Sequence, residues 1–196
     1  MSLKHTYAPA LPELDQLKAE LKRENYKKRF FNVLKSTIFT LVVVAAVAVL
    51  VATLWMPVLQ IYGTSMTPTL YEGDIVLSVK GSDFENGDLI AFYLGNKLLV
   101  KRCIAVPGQW VDIDEKGNVY VDEELIDEPY VEKKALGDCD IDFPYQVPES
   151  RFFVLGDHRE TSADSRNSTI GCVAEEQVVG KIVYRVWPLN KFGTLN

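Results

Sequence analysis

Histidine, cysteine and positive charge are all scarce in this 196-residue chain. Only two histidines occur, His5 and His158, so a multi-histidine metal centre is excluded, and a Ser-His-Asp triad would have to use one of them. No metal and no cofactor is expected. Three cysteines, Cys103, Cys139 and Cys172, permit at most one internal disulfide, which rules out a cysteine-stapled miniature; a Cys139–Cys172 bridge is open to them. With 21 Lys and Arg against 27 Asp and Glu the net charge is −6, which argues against a nucleic-acid partner, because phosphate contacts need clustered cations. Apolar residues at 47% and charged residues at 24% exclude a disordered chain.

Charge is absent altogether from Ser36 to Tyr71. Within that window Thr37–Leu59 reads TIFTLVVVAAVAVLVATLWMPVL, 23 almost wholly apolar residues. As a helix this run is about 34 Å long, enough to cross a hydrocarbon core of about 30 Å. A cleaved secretory signal has a shorter apolar core and an earlier basic flank, so an uncleaved anchor is expected, with membrane lipid around it. Residues 1–35 hold eight Lys and Arg and four Asp and Glu, net +4, which leaves −10 for residues 36–196. Lys27, Lys28, Arg29 and Lys35 directly precede the span, so the N-terminus is expected in the cytoplasm and the bulk of the chain outside. Three regions follow: a basic, partly helical tail over 1–35, a transmembrane helix over 36–59, and an extracytoplasmic domain over 60–196. Leu14, Leu17 and Leu21 recur at helical spacing in the tail, too briefly to define a coiled coil.

Beyond Gln60 the pattern turns to short alternating runs: Asp74–Lys80, Leu89–Leu94, Lys97–Val106, Val119–Val121, Phe152–Leu155 and Lys181–Trp187. Asn86-Gly87, Gly95-Asn96, Pro107-Gly108 and Gly117-Asn118 punctuate them, and Gly95-Asn96 is placed as a two-residue hairpin loop. The fold class is therefore mostly β, a single N-terminal transmembrane helix followed by an antiparallel sandwich or barrel-like domain. Residues 128–149, with three prolines and many acids, read as a loop insertion, and Ala174–Gln177 as a single helical turn.

Three segments carry chemistry. Gly63-Thr-Ser-Met-Thr-Pro-Thr-Leu70 sets Ser65 in a turn just past the span; alone, this is ordinary turn punctuation or a nucleophile. In Leu98-Leu-Val-Lys-Arg-Cys-Ile-Ala-Val-Pro-Gly108, a lysine interrupts an apolar strand. Alternation puts Leu99, Lys101 and Cys103 on one face and Val100, Arg102 and Ile104 on the other. Such a lysine either snorkels at an edge or is buried with a lowered pKa; a free amine of pKa about 10.4 cannot accept a proton at pH 7, a desolvated one can. Gly156-Asp-His-Arg-Glu-Thr-Ser-Ala-Asp-Ser-Arg166 packs two Asp-x-Arg patterns around Ser162, as a solvated ionic loop or as a scaffold for a catalytic group.

SMTPTL, KRCIAVPG and GDHRETSADSR, in that order after one N-terminal span, resemble the bacterial type I signal peptidases from about Ile61 to Trp187. The resemblance implies a membrane serine endopeptidase that removes signal peptides from secretory preproteins after A-x-A-like sites. It implies Ser65 as nucleophile and Lys101 as general base. Ser162 would orient the lysine, with Asp164 and Arg166 and the pair Asp157 and Arg159 as supporting scaffold. Leu59, Ile61, Met66, Leu99 and Val100 fall in the implied substrate cleft. Where some members carry an oxyanion-donating serine this chain has Gly63, which leaves the oxyanion to backbone N–H groups, chiefly that of Ser65, a Gram-positive-like pattern. His158 replaces the family's usual asparagine, and a His158 base is the alternative to Lys101. Other readings are a non-catalytic assembly factor of the same fold, as in pilus biogenesis, and a self-cleaving regulator with the same Ser-Lys device.

Overall fold

The computed structural model describes residues 13–195 apart from Ser82; Lys4 and His5 of the tail lie outside them. The chain divides into two compact units, Met1–Leu50 and Val51–Asn196. One helix, α1 (Leu14–Trp55), runs unbroken from the basic tail through the apolar segment. Its uncharged part, residues 36–55, is about 30 Å long at 1.5 Å per residue, and α1 meets the length and composition needed to cross a membrane. The span expected to reach Leu59 ends at Trp55, because Pro57 has no N–H to continue the ladder. Val58–Gln60 is instead strand β1.

The second unit holds two antiparallel sheets. The larger contains β1, β2 (Ile75–Val79), β3 (Leu89–Leu94), β4 (Lys97–Ala105), β9 (Arg151–Leu155), β10 (Val173–Ala174), β11 (Val178–Trp187) and β12 (Gly193–Thr194). Its order is β1-β2-β11-β3-β4-β9-β10, with β12 added to β11. The smaller is β7-β6-β5-β8, from β5 (Trp110–Ile113), β6 (Val119–Val121), β7 (Glu124–Leu125) and β8 (Tyr145–Gln146). Neither closes into a barrel among the described residues. Gly95-Asn96 forms the expected two-residue loop, with Leu94 opposite Lys97. The turn foreseen at Ala174–Gln177 is a 3-10 helix at Glu175–Gln177.

Burial follows alternation. Val111, Ile113, Val119 and Val121 of the small sheet pack with Ile104, Ala105, Phe153 and Leu155 of β4 and β9, which joins the two sheets. A second cluster, with Ile61, Met66, Leu70, Val76, Leu89, Ala91 and Ile182, lies under the first motif. Leu99 and Cys103 pack into a third cluster and Val100 against the second, so the two faces of β4 divide as the alternation requires. All three cysteines are free: Cys103 and Cys172 are buried, Cys139 is half-buried, and the Cys139–Cys172 bridge is not formed.

Candidate active site

The Ser65 turn is anchored by its apolar neighbours. Met66 and Leu70, one helical turn apart, sink into the core, and the Leu70 N–H donates to the Met66 carbonyl at 2.8 Å. Ser65 is left half-buried at the rim of a groove of about 480 Å³. Gly63, Leu59, Ile61, Met66, Leu99, Val100 and Lys101 line the same groove. Every residue expected for nucleophile, base, oxyanion and substrate contact is thus gathered around one cleft.

Lys101 projects from the middle of β4 and is only 3% exposed. Its Nζ donates to Ser162 Oγ at 2.8 Å. Burial pushes the amine down to about 8, because desolvation penalises the ammonium form; the Asp164 carboxylate opposes the shift, Arg166 reinforces it and Asp157 opposes it. Cys103, two residues on, is fully buried, and desolvation raises its thiol to about 12, which leaves it an inert packing group.

The 156–166 loop returns to both groups. The His158 N–H donates to the Ser65 carbonyl at 3.1 Å, while the His158 ring pairs through Nδ1 with Thr161 Oγ1 at 2.9 Å. Gly156 makes the junction: a Cβ built there would lie 2.1 Å from Ser162 Oγ and 2.5 Å from the Ser65 carbonyl. Only hydrogen fits between the two serines. Asp164 accepts the Gly156 N–H at 3.0 Å and holds Arg166 bidentately, Nε at 2.8 Å and Nη2 at 2.9 Å.

The second Asp-x-Arg pattern behaves otherwise. Asp157 pairs with Arg102, which donates Nε at 3.0 Å and Nη2 at 2.7 Å, and accepts the Thr69 hydroxyl. Arg159 pairs with Glu128 at 2.5 Å and donates Nε to the Gly156 carbonyl at 3.0 Å. Asp157 and Arg159 therefore serve different partners. The cause is register: Arg102 lies opposite Leu155 in the β4–β9 ladder, which brings its guanidinium level with Asp157, while the tight turn after Asp157 carries Arg159 toward the 128–149 segment.

Gly156, Arg102, Glu128 and Tyr130 join the site without being marked by the motifs; the Tyr130 ring lies 3.7 Å from the Arg102 guanidinium carbon. Arg102 left a trace, being a second cation in an apolar strand that needs a buried anion. Glu128 left none, since it follows four other acids within six residues.

Residues 34–187 match the family described as signal peptidase, peptidase S26, and the chain belongs to that family of serine peptidases. Among its relatives, signal peptidase IB of Staphylococcus aureus (strain Mu50 / ATCC 700699) is 36% identical over 153 residues, covering 67% of this chain and 78% of the relative. Signal peptidase I of Bacillus licheniformis is 32% identical over 185 residues, 88% of this chain and 96% of the relative. The crystal structure of a signal peptidase I from Enterococcus faecalis V583 aligns with a TM-score of 0.42 at 27% identity, covering 51% of this chain and 97% of that one.

Proposed function

We propose that this chain removes signal peptides from secretory preproteins by acyl transfer to water, with Ser65 as nucleophile and Lys101 as general base. The observation that carries the reading is the lysine: a buried amine lowered to about 8 has a neutral fraction of roughly a tenth at pH 7, several hundred-fold more than a free amine, and it lines the cleft that holds the serine. The His158 ring is engaged by Thr161, which favours the lysine over the histidine as base.

Neutral Lys101 takes the Ser65 proton as Oγ bonds to the scissile carbonyl carbon. The carbonyl oxygen becomes an oxyanion that backbone N–H groups at Ser65 stabilise, a type of contact worth about 3–4 kcal/mol per donor. The C–N bond then breaks, and the lysine ammonium delivers its proton to the departing amine. Water, deprotonated by the now neutral lysine, attacks the acyl-serine and releases the signal peptide's carboxylate, returning the proton to Ser65. Ser162, a hydroxyl 2.8 Å from Nζ, keeps the amine aimed.

The substrate enters as a strand. Among the described residues, 97–101 of β4 pair only with β3, since β9 joins from Arg102, and β1 pairs only with β2. Both unpaired edges border the groove, so an extended peptide gains main-chain hydrogen bonds by lying between them. Leu59, Ile61, Met66, Leu99 and Val100 give the groove an apolar lining, which suits the small apolar side chains of an A-x-A site. The basic residues before the span keep the N-terminus cytoplasmic, and α1 anchors the enzyme in lipid, so the cleft works on the outer side where a membrane-held precursor emerges. Incubation of the full chain in detergent with one A-x-A precursor, with product masses, tests the reading. One cut after the second alanine, lost in Ser65→Ala and in Lys101→Ala, is the expected result; cleavage by either variant at the parent rate contradicts it.

A further inference from the structure

Arg102, Arg159 and Arg166 stand among the largest fully buried side chains of the protein. One ten-residue stretch, 128–137, touches all three. Glu128 pairs with Arg159, Tyr130 stacks on Arg102, and the carbonyls of Ala135 and Leu136 accept from Arg166 Nη1 at 3.2 and 2.6 Å. Gly137, at φ +67°, is packed so closely that a Cβ would lie 2.5 Å from the Arg159 carbonyl and 2.7 Å from Arg166 Nη1. The stretch has no strand or helix of its own and is held by these contacts together with Leu136 against the core, Lys134 on Asn118 and Lys133 on Glu160. The first ten residues of the 128–149 segment read from sequence as a loop insertion form a strap across these guanidinium groups, and the segment's later part holds strand β8.

Within the strap Glu128 has the most direct route to the reacting groups. Its side chain is fully buried, and Oε1 accepts from Arg159 Nη2. Arg159 in turn donates Nε to the Gly156 carbonyl, and Gly156 is the residue wedged between Ser162 Oγ and the Ser65 carbonyl. We propose that Glu128 is a positioning residue for the Ser65–Lys101 site, acting through Arg159 to fix the Gly156 junction on which both serines bear. This rests on the peptidase reading above. The charged groups facing Glu128 are Arg159 and, at 3.8 Å, Lys134; those acting on Lys101 are Asp164, Arg166 and Asp157.

The test uses the full chain in detergent with an A-x-A precursor and Ser65→Ala as the blank. Cleavage by the parent above that blank establishes the peptidase reading; its absence sinks that reading before any strap variant is measured. With the parent active, Glu128→Gln should lower kcat by roughly 10- to 100-fold with KM nearly unchanged, as for a small misplacement at a reacting centre. Neither Glu128 nor Arg159 is among the charges that act on Lys101, so the acid limb of the pH profile should stay at the parent's pH while kcat falls. Glu128→Gln/Arg159→Met should lose no more than Arg159→Met alone. Parent-like kcat in Glu128→Gln, or losses that multiply in the double variant, overturn the proposal. Should Glu128→Gln fail to fold, Glu128→Asp decides: it keeps the charge and shortens the reach, so an unmoved limb with reduced kcat supports positioning, and full kcat refutes it.

Discussion

The Nζ of Lys101 donates to Ser162 Oγ at 2.8 Å, across 61 residues of sequence, inside a protein wall that leaves the lysine 3% exposed. That contact ties β4 of the large sheet to the ionic loop after β9, and several consequences can be measured.

Removing the hydroxyl in Ser162→Ala frees the amine to rotate away from the serine. Precursor cleavage should fall by about 10- to 100-fold, the cost of small misplacement at a reacting centre, with the folded state retained. Steady-state kinetics beside circular dichroism checks this; unchanged kcat would mean the amine needs no such guide.

Lys101 is held at about 8 against an unfolded value of 10.5. Below the folded value the ammonium is penalised by burial, so at pH 7 the lysine destabilises the native state, by on the order of 3 kcal/mol. Between pH 8 and 10.5 the unfolded chain binds more protons than the native one, so this penalty fades as pH rises. Lys101→Met should therefore be inactive yet melt higher than the parent at pH 7, with the advantage gone near pH 10. Thermal unfolding at both pH values decides it, and a variant that melts lower at pH 7 contradicts the burial argument.

Gly156→Ala places a methyl carbon where 2.1 Å separates it from Ser162 Oγ. The Ser65 carbonyl on one side is backbone and the other side is the short Ser162 side chain held by Lys101, so the serines must separate. Activity should fall by at least 100-fold, on the scale of a misplacement near 1 Å. Full activity would show that the junction yields.

Thiol labelling reports the packing. Cys139 is half-buried, whereas Cys103 and Cys172 are buried with thiols pushed upward by desolvation. Iodoacetamide at pH 8 should modify Cys139 first and all three only after unfolding, as mass spectrometry can count. Rapid native labelling of Cys103 would contradict its place in the core.

Much of the fold was legible because period and charge are strong signals. Uncharged residues from 36 onward marked the helix, and alternation located β3 and β6 to the residue. The two-residue strands β7, β8 and β10 carry too few alternations to register, and β1 was hidden because its apolar residues extend the helical run past Pro57. At the site, Ser65, Lys101 and the residues expected for oxyanion and substrate contact line one cleft, and Asp164 pairs with Arg166. Ion-pair partners were less legible: Asp157 and Arg159 are two residues apart, yet their partners come from β4 and the strap, since side-chain direction depends on register and turn geometry that spacing does not encode.

The most direct test is the pH dependence of single-turnover cleavage of one A-x-A precursor between pH 5 and 10, with Lys101→Ala measured in parallel. The rate should climb with a midpoint about 8 in the parent, and no product should form with the variant. A parent rate that stays level across that range, or a Lys101→Ala variant that still cuts at the parent's speed, would contradict the account.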